Sequence, residues 1–130
     1  MELEFSSPSS GVLLVRVRGH ASADLLTSVL VLRNTAVKTW GQVVLFDDLE
    51  AMSGYDSGVR AGLTDWVNQN KAAVVAMHIL VRSRVVAMGV GVANMILRGV
   101  ISAHSERAAF ERELASAGAA STHTPATAAH

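Results

Sequence analysis

Two short apolar runs, separated by a segment with helical periodicity, constrain the fold of this chain most strongly. Residues 43–46 are apolar throughout, and residues 73–81 are apolar apart from His78. Continuous apolar runs of this length are typical of strands that are buried on both faces of a parallel sheet. Because such a sheet needs helices on both of its faces, the pattern predicts an α/β layer protein.

The remaining segments supply the other elements. Alternating polar and apolar residues on either side of a Ser, Pro and Gly turn predict an antiparallel hairpin, and apolar spacings of three and four predict the helices. The predicted hairpin strands are residues 2–5 and 12–18, the predicted helices are about 22–39, 59–70, 84–98 and 105–114, and a short strand is predicted over 100–103. The predicted fold class is therefore α/β, with a mostly parallel sheet of about five strands, an antiparallel edge strand and a cover of four helices.

Length and composition limit the domain count and the classes of partner. The chain has 130 residues, of which 50% are hydrophobic, enough for one domain with a full core. We expect this domain over residues 1–117 and a disordered tail, rich in Ala, Ser and Thr, over residues 118–130. Eleven basic residues balance eleven acidic ones, and there are only three Phe, two Trp and one Tyr. Nucleic acid is therefore not expected as a partner.

Targeting signals and cysteine chemistry are also missing from the sequence. There is no cysteine, and the first residues lack the basic and apolar blocks of an export signal. The longest charge-free apolar run, residues 85–97, is well short of the about 20 residues that a membrane-spanning helix needs. We therefore expect a cytoplasmic protein with no membrane span.

The junction between the third strand and the second helix carries the main candidate site. Asp47 and Asp48 follow the apolar strand, at the edge where ligand sites of open α/β sheets lie. Ser57 stands at the start of the second helix, where free main-chain N–H groups favour a phosphate, so it is the candidate phosphoacceptor. The competing interpretation, which we favour, is that Asp56 and Ser57 cap the helix.

The junction and the order of elements together resemble the STAS domain, the sulfate-transporter and anti-sigma-factor-antagonist family, and more closely its antagonist-like or CRAL-TRIO-like subgroup. In the antagonist family a strand ends in Asp-Leu, and Asp-Ser-Ser-Gly-Leu opens the next helix, with the second serine phosphorylated by a partner kinase. Here Phe46-Asp47-Asp48-Leu49 is similar to the strand end and Tyr55-Asp56-Ser57-Gly58-Val59 to the helix start, with Asp56 in place of a serine and Tyr55 in place of the aspartate. The Gly54-Tyr55-Asp56 pattern is similar to that of the subgroup.

The resemblance, over about residues 12–114, implies a non-enzymatic regulatory module that binds a protein partner at the start of the second helix. The candidate partner or ligand contacts at this helix start are Tyr55, Asp56, Ser57 and Arg60. Distant relatives carry lipids in an apolar pocket, which leaves a lipid-binding or small-molecule-binding domain as the alternative.

The third predicted helix is apolar nearly all the way around, which one sheet-facing stripe does not explain. Part of it is then covered by neighbouring helices, by a second copy in a homodimer, or by a protein partner. The candidate contacts are Val90, Ala93, Met95 and Leu97. A lipid pocket lined by Met88, Met95 and Leu97 is the less favoured interpretation.

An enzyme is the third hypothesis. His20, His104, Arg82 and Arg84 follow or precede predicted strands, so they could gather near the two carboxylates, and Arg82 is also a candidate partner contact. No nucleophile elbow, phosphate loop or dinucleotide-binding glycine pattern accompanies them, and the spacing is not that of a metal site. We therefore predict no metal, no cofactor and a solvated, loop-shaping role for the carboxylates.

Overall fold

A computed structural model of the protein describes the backbone of residues 1–128 and the side chains of residues 1–119. The strands are β1 (Glu2–Ser6), β2 (Val12–Ala21), β3 (Val43–Leu49), β4 (Met52–Tyr55), β5 (Val74–Val81) and β6 (Ile101–His104). The helices are α1 (Ala23–Trp40), α2 (Val59–Gln69), α3 (Arg84–Ile96) and α4 (Arg107–Ala128). The predicted tail lies largely beyond the described side chains, so the tail and the boundary at residue 117 stay predictions.

The sheet confirms the predicted fold class and adds one strand. Its order is β1-β2-β3-β5-β6, with β4 beside β2. β1 pairs antiparallel with β2, which confirms the hairpin, and the other pairs are parallel.

The additional strand is β4, where the sequence indicated a turn at Ser53 and Gly54. β2 extends three residues beyond its predicted end, and its pairing with β3 stops at Arg16. The last residues of β2, from Gly19 to Ala21, therefore pair with β4 instead. Two small residues are a weak local signal for a strand, and only this long-range pairing makes one.

The helices form two layers of unequal size. α1, α2 and α3 pack side by side on one face of the sheet, whereas α4 packs on the other face, against β2, β5 and β6. The larger core lies under the three helices and contains Leu45, Ile79 and Val86. The smaller core, under α4, is built on Phe46, with Val12, Leu80 and Phe110. No described helix is long and apolar enough to cross a bilayer.

α3 ends earlier than predicted, at Ile96 rather than at Arg98. Arg98 and Gly99 both have positive φ angles, of 59° and 85°, which break the helix. The Gly99 N–H donates to the Asn94 carbonyl at 3.0 Å, and the Asn94 side chain bonds both backbone groups of Ile101. The turn into β6 is thus fixed by one asparagine.

Candidate functional site

The segment between β4 and α2 is held against the end of β2. The Asp56 backbone N–H donates to the Ala21 carbonyl at 2.8 Å, and the Asp56 carboxylate lies 2.6 Å from Nε2 of His20. Gly58, with φ of 95°, then turns the chain into α2. Because Asp56 is bonded to His20, it is not available to the helix.

The structure contradicts the expectation that Asp56 and Ser57 cap α2. The residue at the cap position is Gly58, and no side chain bonds the free N–H groups there. Ser57 is exposed and its hydroxyl has no hydrogen-bond partner among the described residues. An exposed serine beside a helix start without a side-chain cap is compatible with phosphorylation, which stays a prediction.

Asp48 is buried rather than solvated, because it joins β2, β3 and the start of α4. It is 1% exposed and accepts hydrogen bonds from Nε of Arg16 at 2.8 Å and from Nη2 of Arg107 at 2.9 Å. Arg107 also pairs with Glu50 at 2.9 Å, and Asp48 accepts from the Glu50 N–H at 3.3 Å. Burial by itself would raise the pKa of Asp48, but the bonds from Arg16 and Arg107 hold it below its usual value.

Asp47 is buried as well, at 6% exposure, on the opposite face of β3. Nη2 of Arg33, a residue with no exposed surface, donates to it at 2.9 Å. Nη1 of Arg33 donates to the Leu63 carbonyl at 3.4 Å, and the guanidinium lies 5.3 Å from the centre of the Trp66 ring. Burial raises the pKa of Asp47 despite the attraction of Arg33. The prediction of solvated carboxylates was therefore wrong, since each one is the centre of a buried or half-buried ion pair.

The cluster that an enzyme would use does not form around these carboxylates. His20 is bonded to Asp56. His104 contacts His78 at 3.0 Å, and His78 stacks on Phe46 with ring centres 4.8 Å apart. Desolvation by burial lowers the pKa of His78.

The two arginines of the enzyme hypothesis are not paired with these carboxylates either. Arg82 and Arg84 are exposed and form no ion pair within the described residues. Among the side chains that the structure describes, no three of the His, Asp and Glu residues are grouped so as to hold a metal ion.

α3 begins after Ser83, whose hydroxyl accepts from the Val86 N–H at 3.5 Å, and turns one face toward the sheet. Val90, Ala93 and Leu97, predicted as partner contacts, are on this inner face and are 9%, 7% and 1% exposed. The interpretation that these three residues lie on the surface was therefore wrong. They instead line an apolar cavity between α2, α3 and the sheet.

The cavity has a volume of about 60 Å³, and Tyr55 and Arg60 also line it. A cavity of about 150 Å³ is known to hold benzene, so this one is small for a lipid chain. The expected lipid pocket included two methionines, but Met88 and Met95 point away from the cavity, at 72% and 81% exposure. Leu97 alone of the three lines it.

The other side of α3, which we call the outer face, is apolar and uncovered. Its large residues are Val85, Met88, Val92, Met95 and Ile96, each at least 46% exposed. Every exposed residue from 85 to 96 is apolar or glycine. Exposed apolar patches of this kind on a protein surface mark interaction sites.

Sequence reasoning missed most of the outer face and all of the arginine partners of the buried carboxylates. Of the outer residues, only Met95 and Met88 were singled out, the latter for a pocket. The helical periodicity could have placed them. Residues 85, 88, 92 and 95 recur every three or four positions and so share one side of the helix, whereas Val86, Val90 and Ala93 share the other side. Nothing local marks Arg16, Arg33 or Arg107 as a partner of the carboxylates.

Comparisons with known proteins support the fold of this chain. No curated protein and no family model matches the sequence. The anti-sigma factor antagonist SpoIIAA in its unphosphorylated form is 13% identical, with a TM-score of 0.61 over 85% of this chain and 96% of that chain. The Bacillus cell fate determinant SpoIIAA in its phosphorylated form is 16% identical, with a TM-score of 0.62 over 85% of this chain and 98% of that one.

A third solved structure is also similar to this chain. It is a protein of the DUF3478 family from Shewanella loihica PV-4, described as having a SpoIIAA-like fold. It is 12% identical, with a TM-score of 0.63 over 87% of this chain and 92% of that chain. At these identities the likeness concerns the fold, and the chain accordingly has the SpoIIAA-like fold, a STAS-like α/β domain as the sequence predicted.

Proposed function

We propose that this protein is a non-enzymatic regulatory module that binds another protein through the outer face of α3. The observation that carries the proposal is the composition of that face, where five large apolar side chains are exposed to solvent and no exposed polar residue lies between them. A single exposed apolar residue needs no explanation, but a contiguous row along a helix does. Met88 and Met95 suit such a surface, because methionine adapts to the shape of a partner.

The buried ion pairs support a structural rather than a catalytic role for the carboxylates. Asp48 is fully engaged by Arg16, Arg107 and the Glu50 N–H, which leaves it no access to a substrate. Asp47 is enclosed with Arg33. A general acid or base must reach the proton that it transfers, and neither group is placed to do so.

Ser57 is the proposed point of regulation. Its hydroxyl is exposed and unpaired, and the N–H groups at the start of α2 have no side-chain cap. One of the similar structures is titled as the phosphorylated form of SpoIIAA. A phosphate on Ser57 would add negative charge at a helix start, where it is favoured, and would change what can dock beside it.

Site-specific photocrosslinking in the native host tests the proposal. A benzophenone amino acid is placed at Met88 or Met95, and as a matched control at Val31, an apolar residue of α1 that is 59% exposed. We expect discrete crosslinked proteins from the two α3 positions and none in common with the control. Crosslinks from α3 that do not exceed those from Val31 would refute the interaction surface.

The cavity favours a second candidate function, a site for a small apolar ligand. Its wall is almost wholly apolar, with the Arg60 side chain, which forms no ion pair within the described residues, among the lining residues. Native mass spectrometry of protein purified from its host tests this. We expect a retained mass that is lost in Ala93→Leu, which fills the cavity. A bare chain mass in the wild type would make the cavity a packing defect.

A further inference from the structure

The outer face of α3 lies within the longest stretch of this chain that lacks an acidic residue. No Asp or Glu occurs between Asp65 and Glu106, whereas four basic residues do. They are Lys71, Arg82, Arg84 and Arg98. All four side chains are exposed, and none forms an ion pair within the part of the chain that the structure describes.

The fold places these cations at the two ends of the helix. α3 connects the parallel strands β5 and β6 and therefore runs back along the sheet. Arg82 and Arg84 lie at its start, while Arg98 follows its end and Lys71 precedes β5, at the same end of the sheet. The surface is thus an apolar row, about 20 Å long for thirteen residues, with unpaired positive charge at each end.

We propose that the outer face of α3 docks an amphipathic helix from another protein, apolar on one side and acidic at both ends. The inference rests on the proposed function and names the chemistry of the partner. An apolar row with a spacing of three and four matches the stripe of a second helix. The acidic ends follow from charge complementarity with the four cations.

The middle of the outer face favours a helix as the occupant. Ala87 and Gly91 are exposed there, and a β-carbon added to Gly91 would meet no atom of this protein within 4 Å. Small residues on an interface let two helix backbones approach closely, so a partner helix could cross at this point. The larger side chains on either side would then pack around it.

A second copy of this chain fits less well. Two copies of α3 that pair antiparallel about a two-fold axis bring Arg84 of each near Arg98 of the other, and parallel pairing brings each arginine near its own copy. Either arrangement joins like charges, and the segment from residue 66 to residue 105 contains no acidic residue that could separate them. The homodimer expected from the sequence is therefore the weaker alternative.

A lipid surface also fits less well. Helices that lie on membranes carry Trp, Phe or Leu on the apolar side and a row of Lys and Arg along the polar side. α3 has no aromatic residue, and the side opposite the outer face is buried in the core of this protein. Its positive charge is confined to the ends.

Binding of two synthetic peptides to the full chain tests the proposal. Both are helix-forming peptides of about 16 residues with the same leucine stripe. The acid-ended peptide carries two Glu at each end, and the base-ended peptide carries two Lys there. We expect fluorescence anisotropy to give at least about tenfold tighter binding of the acid-ended peptide at about 50 mM salt, with the difference shrinking at about 300 mM.

Variants separate the apolar contribution from the charge. Met88→Asp should abolish binding of both peptides, whereas Arg84→Glu combined with Arg98→Glu should reverse the preference between them. Val31→Asp, the matched change on α1, should leave both affinities unchanged. Circular dichroism spectra matching the wild type confirm that each variant is folded.

Each other outcome overturns the inference in a distinct way. Equal affinity for the two peptides would refute the acidic partner while leaving the interaction surface in place. No binding of either peptide, together with α3 crosslinks in the host, would refute a helix as the occupant. Sedimentation of a dimer that Met88→Asp dissociates would assign the face to a second copy. Binding to vesicles of phosphatidylglycerol and phosphatidylcholine, lost in Met88→Asp, would assign it to a lipid surface.

Discussion

The buried pair of Arg33 and Asp47 leads to the sharpest stability prediction. Arg33 has no exposed surface and Asp47 is 6% exposed, with 2.9 Å between Nη2 and the carboxylate. Replacing Arg33 by Met keeps most of the side-chain volume but leaves a carboxylate enclosed without its counter-charge. Removing one partner of a buried pair costs about 3–5 kcal/mol of unfolding free energy. That is at least about a fifth of the about 5–15 kcal/mol that stabilises a typical domain.

The double variant Arg33→Met with Asp47→Leu should behave quite differently. It removes both charges, and with them the cost of desolvating a guanidinium whose Nε has no hydrogen-bond partner among the described residues. We expect it to lie within about 1 kcal/mol of the wild type, because buried pairs and apolar replacements of similar volume are often equivalent. The coupling between the two positions should therefore exceed about 3 kcal/mol.

Urea unfolding followed by circular dichroism measures these differences, with tryptophan fluorescence as a second probe, to which Trp66 beside the pair contributes together with Trp40. The single variant should also recover stability relative to the wild type as the pH falls, because the raised pKa of Asp47 lets the carboxyl protonate and lose its unpaired charge. A cost below about 1 kcal/mol for Arg33→Met, or a double variant as unstable as the sum of the single ones, would refute this account.

The other predictions concern three separate places. Burial lowers the pKa of His78, so the unfolded chain takes up the proton first, and stability should fall as the pH drops from about 6.5 through the folded value. In His78→Phe the urea midpoint should depend less on pH. An unchanged pH dependence of the midpoint would contradict this. A β-carbon at Gly89 would overlap the Tyr55 hydroxyl. Gly89→Ala should therefore lower stability by about 1–3 kcal/mol, partly restored by Tyr55→Phe, and a neutral effect in thermal melting would count against the packing of α3. Ser57→Ala should lower the unfolding free energy by less than about 0.5 kcal/mol, because the hydroxyl caps nothing. Ser57→Asp should change which proteins crosslink to the chain. Equal crosslinking by the Ala and Asp variants would exclude regulation at this residue.

The elements that the sequence predicted are those with local causes. The hairpin, the buried strands and the helices each follow from periodicity within a few residues, and so does the α/β order. The burial of Asp48 could not be predicted, since Arg16 and Arg107 lie 32 and 59 residues away along the chain. A carboxylate that follows a strand has the same local pattern whether it ends in solvent or in an ion pair.

The outer face of α3 was hard to orient for a different reason. A helix that is apolar all around has little polar contrast to indicate which side faces the core, so Val90 and Ala93 looked as suitable for a surface as Met88. The fold determines which side faces the core, because the inner residues are those that contact Tyr55 and the sheet.

The start of α2 was predicted correctly, whereas its capping was not, because His20 competes for Asp56.

The pairing of β4 with the end of β2 bears on how fast and how selectively Ser57 can be recognised. A loop of five or six free residues would have to lose its conformational freedom each time a partner bound. Here parallel strand pairing, the bond from Asp56 to Ala21 and the contact of Asp56 with His20 fix the approach to the serine in advance. Recognition at Ser57 should therefore resemble the docking of two preformed surfaces, with little reordering of the backbone and with association rates set by diffusion and charge.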